Sequence, residues 1–143
     1  MLTWFCVALI LVSGCFRSDR LRLESPGQPE RFIQLEKART FSLRYKHSVE
    51  QTPVVETFQI LDNGKLMLIS TAYQSYGVGL PSLPEEGTLT VSDGWLILKD
   101  LHRLYPDIRL RVGSEAAVSL EVDKKMYPIY QWYPPGSLVI ITK

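Results

Sequence analysis

Four residues, Asp62-Asn63-Gly64-Lys65, constrain this chain more than any others. They separate two apolar runs, residues 54–61 and 66–73. An Asn-Gly pair in that setting closes a tight antiparallel hairpin, because both central residues of the favoured turn need positive φ. A second break of the same kind, Ser92-Asp93-Gly94, parts residues 88–91 from 95–99. Residues 40–49 alternate, with Phe41, Leu43, Tyr45 and Val49 on one parity, the pattern of a half-buried strand. Further short apolar runs cover 31–35, 108–112, 117–122, 126–129 and 138–142, and Gly, Pro, Asn and Asp punctuate them. No segment sustains a helical period between caps, and residues 101–105 have room for one helical turn before Pro106. The expectation is an all-β fold, a single antiparallel β-sandwich or small barrel of about eight or nine strands.

The N-terminal segment reads differently. Its first fifteen residues, MLTWFCVALILVSGC, carry no charged side chain and hold both cysteines, Cys6 and Cys15. The apolar run from Leu2 to Val12 has the length of a signal-peptide core and is shorter than the roughly 20 residues that span a bilayer. It ends in Val12-Ser13-Gly14-Cys15, small residues before a cysteine, which resembles a bacterial lipobox. On that pattern Cys15 is the lipidation site, and the chain is an extracytoplasmic, membrane-anchored lipoprotein. The alternative is an uncleaved short anchor; Arg17, Arg20 and Arg22 just after the run, and an N-terminus without Lys or Arg, weigh towards it. Either way the partner is a membrane. The organisation expected is therefore a signal peptide or anchor over 1–15, a polar tether over 16–30 punctuated by Pro26, Gly27 and Pro29, and an all-β domain over 31–143.

Within the domain two ionisable residues fall on apolar parities. His47 continues the Phe41, Leu43, Tyr45 series, and Glu56 continues Val54, Phe58 and Ile60. If their strands pair through the short connection near residues 50–53, the two can approach across the hairpin. A buried carboxylate is costly unless paired or hydrogen-bonded. The plainer reading is thus a structural His–Glu pair, or a histidine bonded to backbone, that fixes local register. The functional one is a polar spot in a binding pocket, or a general acid–base pair. Pro53 also permits a bulge that would shift this parity. Ser48 follows His47 directly, but strand neighbours point to opposite faces, so the two do not make a catalytic dyad.

Tyr76, Gly77 and Gly79 open a Gly/Pro-rich loop that runs to Gly87. Pro81 and Pro84 deny it the helix N-terminus a phosphate site requires, so it reads as a crossover between sheets. Residues 127–136 concentrate aromatics and prolines, read as an edge and turn packed by their own rings. Arg109 and Arg111 alternate with apolar residues and read as a solvated face. With 16 basic and 15 acidic side chains, a strongly basic nucleic-acid binder is excluded, and no nucleic-acid partner is expected. Two histidines are too few for a zinc site with this ligand set, and no nucleophile elbow, Walker loop or calcium loop is present. No cofactor, no metal site and no catalytic residue are expected.

Phe41-Ser42-Leu43-Arg44-Tyr45-Lys46-His47-Ser48-Val49, then Pro53 and Glu56-Thr57-Phe58, resembles the opening signature of the DUF1850 family. Tyr76-Gly77-Val78-Gly79-Leu80-Pro81 and Leu110-Arg111-Val112-Gly113 resemble two later pieces of it. Members of that family are small bacterial proteins without an assigned activity whose genes often accompany TRAP transporters of the TAXI type. The resemblance implies an accessory or binding module at such a transporter, with transporter subunits or the solute-binding protein as partners. It carries over His47, Ser48, Glu56, Gly77 and Gly79 as signature positions without a stated chemistry. A small enzyme using His47 and Glu56, or a purely structural lipoprotein, are the alternatives.

Overall fold

The computed structural model describes residues 19–75 and 87–143. Among them eleven strands form two antiparallel sheets. They are β1 (Arg20–Glu24), β2 (Arg31–Gln34), β3 (Thr40–Lys46), β4 (Pro53–Ile60), β5 (Leu66–Tyr73), β6 (Thr88–Ser92), β7 (Trp95–Tyr105), β8 (Ile108–Arg111), β9 (Ser119–Val122), β10 (Lys125–Tyr127) and β11 (Leu138–Thr142). One 3-10 turn, Ile129–Gln131, precedes β11. The smaller sheet runs β2-β1-β11-β8 and the larger β10-β9-β3-β4-β5-β7-β6. The sheets do not close into a barrel, so the architecture is a sandwich.

Both expected hairpins form. Gly64 has φ 80°, and Lys65 N–H donates to the Asn63 side chain, joining β4 to β5. Asp93 and Gly94, at φ 50° and 79°, make the two-residue turn between β6 and β7. Each is a place where a left-handed backbone lets the strands fold back with the right twist. The core lies between the sheets. Leu21, Leu23, Ile33, Val139 and Ile141 of the smaller sheet meet Phe41, Leu43, Phe58, Leu68, Leu98 and Leu120 of the larger. Phe41 stacks on Phe58 at 5.4 Å, and Phe58 meets Tyr105 edge-on at 6.0 Å. Residues 127–136 are packed by their own rings: Tyr127 meets Trp132 edge-on, and buried Tyr133 donates its hydroxyl to the Leu23 carbonyl.

Three expectations are corrected. Residues 20–24 are not part of a tether: they are β1, paired to both β2 and β11, with Leu21 and Leu23 fully buried. Arg20, Arg22 and Glu24 disguise the strand, because its polar parity alternates with two leucines on the core side. Residues 101–105 form no helical turn but continue β7, an eleven-residue strand. Asp100, at φ 60°, marks a register shift against β5 that puts Leu101 back into the core. The segment after β5 is no crossover between sheets, since β5 and β6 both belong to the larger one. Cys15, Tyr76, Gly77 and Gly79 lie outside the described residues, as does the apolar N-terminal run. No helix among the described residues is long and apolar enough to cross a membrane.

Candidate functional site

β3 and β4 pair with Phe41 opposite Phe58, Leu43 opposite Glu56 and Tyr45 opposite Val54. This register puts Tyr45 and Glu56 diagonally adjacent on the inner face, and the Tyr45 hydroxyl donates a hydrogen bond to the Glu56 carboxylate. Burial pushes the Glu56 carboxyl above its ordinary range, while the Tyr45 hydrogen bond and the positive charge of Arg103 on β7 pull it back in part. Burial also pushes the Tyr45 phenol up, reinforced by the nearby carboxylate. Thr71 of β5 stands directly across from Glu56, fully buried, and its hydroxyl has no hydrogen-bond partner among the described residues.

His47 ends β3 and builds the turn that follows. Its ring Nδ1 accepts from the Val49 and Glu50 backbone N–H groups at 3.3 and 3.2 Å. Its own N–H donates to Thr52 O, and its carbonyl accepts from Gln51 N–H. The side chain is 8% exposed. A ring that accepts from two turn amides in this way holds its tautomer: with Nδ1 accepting, the neutral imidazole carries its proton on Nε2. The inward placement expected of His47 and Glu56 is observed. Their direct approach across the hairpin is not: Thr52, not Glu56, lies opposite His47, and the two residues stand four positions apart along the strand direction, about 13 Å. Tyr45 stands between them.

These side chains border a cavity of about 390 Å³ where the smaller sheet leaves the larger one uncovered. Leu43, Tyr45 and Glu56 form its floor, and Lys46, His47 and Ser48 one end. Ala116 and Val118 form a wall that Lys46 N–H anchors by donating to Ala116 O at 2.8 Å. The opposite wall is β8, whose residues Ile108, Arg109, Leu110 and Arg111 all take part. Ser48 is exposed at the mouth, and its carbonyl accepts from the Gln51 side chain at 2.6 Å. Arg109 is held by a two-pronged pair with Asp107, at 3.0 and 2.9 Å, and the Arg111 guanidinium donates to Gly136 O. Arg109 and Arg111 are solvated as expected, but they also flank the cavity, a role that alternation alone does not disclose. Sequence reasoning likewise missed Tyr45 as the carboxylate's donor, although its parity with His47 was visible.

Among the described residues no group of three or more His, Cys, Asp or Glu is placed to hold a metal ion. The arrangement offers a concave, half-apolar space with one carboxyl at its floor and cations at its rim. In chemical terms such a space has room for a ligand or chain segment with both apolar and charged groups.

No curated protein and no solved structure matches the chain. A family model described as a domain of unknown function, DUF1850, matches residues 41–129, a span that contains every described residue bordering the cavity. The match covers more than half of the chain, and the protein belongs to the DUF1850 family.

Proposed function

We propose that this domain is a non-enzymatic binding module, tethered through Cys15 to the extracytoplasmic face of a bacterial membrane, that serves a solute transporter of the TRAP class as an accessory subunit. The observation that carries the binding reading is the 390 Å³ cavity built from the signature residues His47, Ser48 and Glu56 together with β8. Its polar groups support recognition better than turnover. His47 spends Nδ1 on its own turn, Glu56 receives the Tyr45 hydroxyl, and the strand register separates the two by four positions. A general acid–base pair needs both groups within reach of one reacting atom. The lipobox-like Val12-Ser13-Gly14-Cys15 supports the tether, and family membership supports the transporter context.

The test is recovery of the tagged full chain from membranes in mild detergent, with the co-purifying proteins identified by mass spectrometry. Transporter subunits or their solute-binding protein are expected, and a variant of an exposed residue bordering the cavity, such as Lys46→Glu, should lose them while remaining folded. Recovery of the lipidated chain alone overturns the accessory reading.

A further inference from the structure

We propose that the open edge of β8 takes up an extended, acidic segment of a partner polypeptide, which adds a fifth strand to the smaller sheet and sends alternate side chains into the cavity. This rests on reading the domain as a binding module.

β8 ends the order β2-β1-β11-β8 and pairs with β11 alone among the described residues. Val112, just past the strand, directs both its backbone groups to the β11 side: its N–H donates to Ser137 O and its carbonyl accepts from Gly136 N–H. Backbone groups alternate sides along a strand. No register shift interrupts the pairing of β8 with β11, so Arg109 and Arg111 turn their N–H and C=O groups to the open edge. That edge faces the cavity. All four consecutive residues of β8 border it, as happens when a strand presents its edge, not one of its faces, to a space. An incoming strand finds donors and acceptors that have no partner among the described residues, beside a partly apolar cleft, the combination that strand addition uses.

Charge selects the occupant. Lys46 and Arg111 have no acidic partner among the described residues, and Arg109 lies beside them. A second copy of β8 would set Arg109 and Arg111 against the same arginines, and like charges on neighbouring strands repel. An acidic strand meets the opposite sign instead. Its inward positions face Leu43, Ala116, Val118 and the Tyr45–Glu56 pair, which fits small apolar or hydroxyl side chains there, with Asp or Glu on the alternate positions.

The experiment selects a random-sequence peptide library against the detergent-solubilised full chain and measures the enriched peptides by fluorescence anisotropy. Acidic peptides with alternating apolar residues are expected, binding more weakly as salt rises. Alternate backbone amides of the best peptide are then N-methylated in each of the two phases. One phase, which blocks the amides aimed at β8, should weaken binding at least tenfold, and the other should leave it within about threefold. Arg109→Pro removes an edge-facing N–H without taking a bond from the β11 ladder and should also cost at least tenfold. Arg109→Ala keeps the N–H and should cost less. Absence of enriched peptides, enrichment of basic or uncharged ones, or equal effects of the two methylation phases overturns the proposal. If transporter subunits still co-purify with Arg109→Pro, only the edge reading fails. If they co-purify with neither protein, the binding-module reading itself fails.

Discussion

Thr71, Glu56 and Tyr45 form a short polar line across the otherwise apolar inner face of β5, β4 and β3. Each makes a separate prediction. The Thr71 hydroxyl is buried without a partner among the described residues, so Thr71→Val, nearly the same shape, should stabilise the domain by about 1 kcal/mol, read as a higher midpoint in thermal melts. Tyr45→Phe removes the donor to a largely buried carboxylate and should cost about 1–3 kcal/mol. Glu56 sets a pH dependence. Its folded-state carboxyl titrates above the ordinary range, so folding favours the protonated form. The stability it supports is full below the ordinary carboxylate pKa and falls as pH rises through the folded value. Relative to wild type, Glu56→Gln should therefore gain stability between acid and neutral pH, with a flatter profile in melts taken across pH 4–8. An unchanged difference between the two proteins over that range would show that the carboxyl is not perturbed. The inward parity of His47 and Glu56 was legible from the alternation. Their separation was not, because register depends on where the turn closes. Here the His47 ring fixes that point by binding the amides of Val49 and Glu50.

Elements were readable wherever turn chemistry was local. Asn63-Gly64 and Asp93-Gly94 announce their hairpins because a ready positive φ, adopted by Gly64, Asp93 and Gly94, is a property of the residues themselves. β1 and the second half of β7 were both hidden. In β1 charged residues occupy the solvent parity of a short strand, and in the second half of β7 Arg103 stands on the inward parity while Leu104 is exposed, so neither segment declares itself a strand until its partner is known. The burial of β1 gives a direct check. Leu23→Ala should destabilise the domain by about 2–5 kcal/mol, since the side chain is fully enclosed; a tether residue would cost nothing measurable. Gly87, at the entrance to β6, is required for a different reason. A Cβ there would lie 2.1 Å from the Lys99 carbonyl oxygen of the neighbouring strand, and backbone cannot yield as a side chain can. Gly87→Ala should therefore cost more than about 2 kcal/mol, seen as a lower denaturant midpoint with an unchanged slope.

At the scale of the molecule, the all-β class followed from strand length and punctuation, while the division into four and seven strands did not. Sheet membership is decided by contacts between residues far apart in sequence: β1 pairs with β11, and β3 with β9. No local pattern encodes them. The cavity was illegible for the same reason, as β8 joins β3 and β4 only through the packing of one sheet on the other. The membrane link is testable without any structure. Cys15→Ser should move the protein from the detergent phase to the aqueous phase after Triton X-114 partitioning. Retention in the detergent phase would instead identify the apolar run as an uncleaved anchor.

The seating of β11 between β1 and β8 has a consequence in time. Both neighbours depend on residues 138–142 for their only common partner, so a chain that has emerged as far as residue 137 cannot assemble the smaller sheet around its central strand. Completion of the smaller sheet must wait for residues 138–142 to leave the ribosome. Closure of the smaller sheet is therefore a late step, with the slowness characteristic of pairings so distant in sequence.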